Sequence, residues 1–121
     1  MGKVSYIMTA EDLPPITLQA TREFAARIAS VYPSKQTILF GSRARGTPHD
    51  ESDADVAVVL AGKVGDFIST KMAMNDIAYD VLLSTGIRIQ PLPVWESEWA
   101  EPKHYSNPYL LQNILREGIT L

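Results

Sequence analysis

The sequence contains no cysteine. Disulfides and thiolate zinc sites are therefore excluded, and cysteine usage carries no information on compartment. Long apolar runs are missing too, and none approaches the ~20 residues that span a bilayer. The N-terminal stretch MGKVSYIMTAEDLPP has no extended apolar core, so no signal peptide is expected. Tyr6 stands where a myristoylation signal needs Ser or Thr. The expectation is a soluble, cytoplasmic protein that does not engage membranes. A surplus of positive charge is also absent: 11 Lys and Arg stand against 14 Asp and Glu, a net charge of −3. Broad, non-specific nucleic-acid binding needs the opposite balance. A small anionic ligand held at one local site stays compatible with it.

What is present is globular. The 121 residues are 45% hydrophobic and 21% charged, which fits one domain over 1–121 with a modest core. Ile16, Ala20, Phe24 and Ile28 recur every four residues, predicting a helix from about Thr17 to Val31 that Pro33 stops. QTILF (36–40) reads as a short buried strand, and DADVAVVLAG (53–62) as a central one, almost continuously apolar after Asp55. A second helix is expected from Asp66 to about Ser84, closed by Gly86. Its buried stripe would be Phe67 or Ile68, then Met74, Ile77, Ala78, Val81 and Leu82. IRIQPLPVW (87–95) is a third strand. Pro91 and Pro93 share a parity and both lack an N–H, so this strand belongs at a sheet edge. SNPYLLQNILREG is a third helix, with Asn107 as cap, Pro108 at its first position and Gly118 at its end. The order α-β-β-α-β-α predicts an α+β fold, a small mixed sheet flanked by helices.

One stretch carries chemistry: TILFGSRARGTPHDESDADVAVVL, Thr37 to Leu60. A strand that runs through Gly41-Ser42 into a helical turn offers backbone N–H groups to an anion, and glycine lets a phosphate approach closely. The Ser42 hydroxyl adds a donor, and Arg43 or Arg45 can add charge-assisted bonds. On the next strand Asp53 and Asp55 are two apart, so both leave one face. Two carboxylates there repel unless a cation sits between them. Mg²⁺ takes oxygen ligands and commonly shares them with substrate phosphates. A phosphate cradle beside paired carboxylates is equipment for phosphoryl or nucleotidyl transfer. Other polar features have plainer readings. Gly46-Thr47-Pro48 is a turn, His49 and His104 are solvated loop residues, Asp76 and Asp80 form a solvated helix face, and Trp95 and Trp99 pack.

Gly41-Ser42, ten intervening residues and then SDADVAVVL resemble the minimal nucleotidyltransferases of the DNA polymerase beta superfamily. The resemblance implies a palm-like nucleotidyltransferase fold. It also implies Mg²⁺-dependent transfer of a nucleoside monophosphate, AMP from ATP in the first instance, with pyrophosphate leaving. By match, Asp53 and Asp55 are the catalytic metal ligands, Gly41 and Ser42 hold the triphosphate, and Arg43 or Arg45 assists. Minimal members are often paired with a HEPN-domain toxin that they silence by adding AMP, so a HEPN-type partner is implied as acceptor. A homo-oligomer stays open.

The sequence departs from this pattern at one point. Active members usually carry a third carboxylate on the strand after the helix that follows Asp-x-Asp. Here IRIQPLPV has none. Gln90 falls in that place as a neutral ligand that cannot act as a base, and Arg88 shares its face and would oppose a second metal. Glu96 and Glu98, just beyond the strand, are the nearest acids. Two functions therefore stand side by side: an enzyme that nucleotidylates an acceptor, and a catalytically weakened module of the same fold that neutralises or regulates a partner protein by contact.

Overall fold

The computed structural model describes residues 9–46 and 53–121. Its elements run α1 (Pro15–Ala29), β1 (Ser34–Phe40), α2 (Ser42–Arg45), β2 (Ala54–Leu60), α3 (Phe67–Thr85), β3 (Ile89–Trp95), α4 (Glu96–Ala100), α5 (Pro108–Glu117) and β4 (Ile119–Thr120). The four strands form one sheet in the order β3-β2-β1-β4. β1 runs antiparallel to both β2 and β4, whereas β2 and β3 are parallel. The expected α+β fold with a mixed sheet is what the chain adopts.

The two faces of the sheet follow from the period of two along its strands. Leu39, Val56, Val58 and Leu60 face one core, where α1 supplies Phe24 and Ile28 and α3 supplies Met74 and Val81. Ile38, Ala57, Val59 and Val94 face the other, covered by Tyr105 and by Leu111 and Ile114 of α5. The continuously apolar β2 thus reads as the central strand it is, buried on both sides.

β3 is an edge strand, as its prolines require. Arg88 O accepts from Ala54 N, so the even-numbered residues here turn their backbone groups toward β2. Pro91 and Pro93 therefore turn theirs to the open edge, where a missing N–H breaks no ladder. Asp66 caps α3 by accepting from Ser69 N, and Gly86 ends it at φ 79°. Asn107 caps α5 by accepting from Leu110 N, with Pro108 in the first turn.

Several expectations need correction. α1 ends at Ala29 rather than Val31, because the chain must already be extended before Pro33. Ile16 is 43% exposed, and Thr17 takes the inward place. Phe67 and Ile68 are both exposed, since the inward stripe of α3 begins nearly two turns later at Met74. β1 starts two residues earlier than expected, and β2 starts at Ala54, with Asp53 just outside it. The short α4 and the two-residue β4 carry too little periodicity to be visible in sequence. Trp95 is buried and Trp99 packs beside the second core, as expected of both.

Candidate active site at the mouth of the central strand

The candidate site forms where the end of β1 meets the start of β2. Their register places Phe40 opposite Asp55, and the next register places Gln90 beside Asp55 on β3. Gly41 follows Phe40 at once. Its backbone lies at φ 78°, ψ −158°, a region that essentially only glycine occupies. A Cβ built there would run into Asp55 Oδ2. The glycine therefore serves two needs: it turns β1 into α2, and it leaves room for a carboxylate directly against the backbone.

α2 is a single turn. Gly41 O accepts from both Ala44 N and Arg45 N at 3.1 Å, which closes it. The opening amides of such a turn have no acceptor within it. Gly41 and Ser42 are half-buried, so this corner faces both the chain and solvent.

The two carboxylates differ in surroundings. Burial pushes the Asp55 carboxyl above its ordinary range, and the neighbouring charge of Asp53 pushes it the same way; Arg45 and Lys71 oppose this. Asp53 is engaged by two donors. Gln90 Nε2 donates to its Oδ2 at 3.1 Å, and Arg88 Nε lies 3.8 Å from its Oδ1. Gln90 thus lies beside both aspartates.

The two arginines of the turn go different ways. Arg45 Nη1 lies 3.5 Å from Glu117 Oε2, half exposed and within electrostatic reach of Asp55. Arg43, expected beside the phosphates, is buried instead, and its Nη1 donates to Thr17 Oγ1 at 2.8 Å. On a helix, side chains two residues apart diverge by about 200°, so the two arginines of the turn point to nearly opposite sides. Glu96 and Glu98 do not fold back. Glu96 Oε1 accepts from Gly62 N and Glu98 Oε1 from Trp95 N, at the far end of β3. Five residues of strand, about 17 Å, separate that end from Gln90. His104 pairs with Glu101 at 3.1 Å on the surface, and Asp80 lies 3.9 Å from Arg27. His49 and most of the Gly46-Thr47-Pro48 turn lie outside the described residues, as do Asp50 and Glu51.

One residue escaped sequence reasoning. Lys71, in the second turn of α3, donates from Nζ to Pro91 O at 2.5 Å. Burial lowers its pKa, and the charge of Asp55 works against that shift. The open carbonyl of an edge proline was the available signal, since it needs a donor from outside the sheet. Beside Gln90, a cleft of about 210 Å³ opens between α3 and the start of β3, walled in part by Asn75, Tyr79 and Arg88.

Among the described residues, no group of three or more His, Cys, Asp or Glu could hold a metal ion. Asp53 and Asp55 alone fit a hard cation of the kind that takes one or two carboxylates and completes its shell with phosphate oxygens and water. No helix among these residues is long and apolar enough to cross a membrane.

Three solved structures share the fold. One is a toxin–antitoxin complex with AMP-PNP, 18% identical, with a TM-score of 0.59 over 83% of this chain and 70% of that one. A second, taken for a nucleotidyltransferase from Sulfolobus solfataricus, is 19% identical, with a TM-score of 0.52 over 90% and 88%. The third is a mutant of the toxin–antitoxin pair MntA-HpeT, 19% identical, with a TM-score of 0.57 over 83% and 69%. No curated protein matches the sequence. The family model described as "Nucleotidyltransferase domain" matches residues 21–119, which take in the glycine turn, both aspartates, β1 to β3 and the first residue of β4, and the chain belongs to that family.

Proposed function

We propose that this protein transfers a nucleoside monophosphate, AMP from Mg²⁺-ATP in the first instance, to a hydroxyl of a partner protein. The observation that supports this most is Asp55 seated against Gly41, with the charge of Asp53 close to it. Two carboxylates that could hold a metal ion and a turn that could accept a phosphate then lie within one site.

Asp53 and Asp55 would hold the ion, which supplies a positive charge for the triphosphate oxygens and for the leaving pyrophosphate. Gly41 and Ser42 would receive the triphosphate at the opening amides of α2, with Arg45 as the outward cation. The acceptor oxygen attacks the α-phosphorus, a new P–O bond forms, and the bond to the β-phosphate oxygen breaks. The proton of the acceptor hydroxyl goes to solvent, phosphate or an aspartate carboxylate, since Gln90 has no basic atom. The cleft beside Gln90 gives the acceptor an approach. A protein acceptor is supported by α3, whose outer side exposes Ile68, Met72, Tyr79 and Leu83, an apolar stripe that a monomer gains nothing from showing. The resemblance to HEPN-paired members and the toxin–antitoxin neighbours support an antitoxin role.

A second reading has its own observation. Gln90 donates to Asp53 and Arg88 pairs with it electrostatically, so the same fold with weakened catalysis could neutralise its partner by contact. The test is AMP incorporation from labelled ATP into a co-expressed partner, for wild type and for Asp53→Asn and Asp55→Asn. Transfer lost in both variants, with the fold kept, supports the enzyme. Neutralisation that persists in both variants, without transfer, supports the contact module and overturns the first reading.

A further inference from the structure

The donors around Asp53 bear on how many ions this site takes. Arg88 and Gln90 are two apart, so they leave β3 on one face. That face is the one carrying Asp53 and Asp55, since Asp55 and Gln90 are register partners. Each oxygen of Asp53 then has a neighbour from this chain: Oδ2 accepts from the amide of Gln90, and Oδ1 forms an ion pair with the guanidinium of Arg88 at 3.8 Å. Asp55 has no such hydrogen-bonding neighbour among the bonds described; its Oδ2 lies over Gly41.

Two-metal phosphoryl-transfer sites clamp the attacking and leaving oxygens with ions about 3.5–4 Å apart. A pair that close needs anionic oxygens shared between its members. Among the described residues, two carboxylates are the anionic supply at this site, and one of them is already partly neutralised by Arg88. A first divalent ion finds Asp55, a lone pair of Asp53 and the triphosphate. A second would meet a neutral amide and a fixed positive charge, and like charges repel.

We propose that this site binds a single divalent cation with its nucleotide, because Arg88 and Gln90, by engaging Asp53, deny a second. The inference rests on the nucleotidyl-transfer reading above. Its consequence is that the acceptor hydroxyl arrives beside a guanidinium rather than beside a metal ion.

The test uses the full chain with Mn²⁺ and a non-hydrolysable ATP analogue, read by electron paramagnetic resonance after equilibrium dialysis. Wild type should retain one Mn²⁺ per chain with the spectrum of an isolated ion. Arg88→Ala/Gln90→Asp should retain two, with the spin-coupled signal of a close pair. Both side chains are exposed, so the fold should survive, and a melting curve checks it. A coupled pair in the wild type would overturn the inference. So would a double variant that still holds one ion, since something other than these residues would then set the number. No nucleotide-dependent Mn²⁺ binding at all would overturn the transfer reading itself, a result distinct from a count of two.

Discussion

Replacing Gly41 with alanine probes the contact on which the site depends. At φ 78° and ψ −158° the backbone sits where a residue with a side chain pays about 1–3 kcal/mol. The new Cβ would also collide with Asp55 Oδ2, and swinging that carboxylate off its rotamer costs about 0.5–1.5 kcal/mol more. The sum is about 1.5–4.5 kcal/mol. At about 4 °C per kcal/mol for a domain of this size, the melting temperature should fall by roughly 6–18 °C. Nucleotide binding should suffer separately, because Asp55 no longer points where it did. Losing one contact to a charged group is worth about 1.5–3 kcal/mol, or about ten- to 150-fold in affinity for Mg²⁺-ATP. The Asp55→Ala background separates the two contributions. There only Cβ remains, 3.6 Å from the built atom, an ordinary contact. Gly41→Ala should then cost the backbone part alone, leaving a coupling of about 0.5–1.5 kcal/mol in a double-mutant cycle. Gly46→Ala is the control: it also has a positive φ, 74°, but open space around it. It should lose about 1–2 kcal/mol of stability while binding nucleotide normally. Thermal melts by circular dichroism and titration calorimetry read both quantities. Wild-type nucleotide affinity in Gly41→Ala, or additivity with Asp55→Ala, would refute the reasoning.

Three further outcomes are expected. Burial and Asp53 raise the Asp55 carboxyl, so the folded protein holds that proton more tightly than the unfolded chain does. Its contribution to metal-free stability is greatest below the ordinary carboxyl pKa and is lost as pH rises through the raised one; urea titrations should show this slope in wild type minus Asp55→Asn, and no difference in slope would count against it. Gln90→Glu supplies the missing base, and labelled-ATP assays should show transfer rising by about 10²–10⁴-fold, whereas fast wild-type transfer unaffected by Gln90→Ala would place the base elsewhere. Lys71→Met removes both the donor to Pro91 O and a cation that opposes the Asp55 shift; it should cost about 1 kcal/mol, and NMR titration should find the Asp55 carboxyl still higher, a result a purely structural lysine would not produce.

The sequence by itself determined the elements whose signals are local. The apolar run after Asp55 marks a strand buried on both faces, and it is one. Proline parity in IRIQPLPV marks an edge, because a missing N–H is tolerated only where no partner strand needs it, and β3 is that edge. Asn107-Pro108 and Gly86 mark helix ends through their own backbone preferences. The expectation that Asp53 shares a face with Asp55, and Arg88 with Gln90, follows from the strand period alone, although Asp53 and Arg88 lie just outside β2 and β3. Only the tertiary structure decided what those faces meet. Register between strands is a long-range property, and it alone sets Gln90 beside Asp55 and Phe40 opposite it. Which arginine of the turn points inward depends on where α1 lies: Arg43 finds Thr17, 26 residues earlier in the chain, and is buried by it. Lys71 joins the site across 20 residues because a helix happens to pass the open carbonyl of an edge proline. Glu96 and Glu98 looked near in sequence but are carried to the far end by an extended strand, about 3.3 Å per residue. Local preferences act within a turn or a strand pair, whereas a site assembled from β1, β2, β3 and α3 exists only once packing has chosen their mutual register.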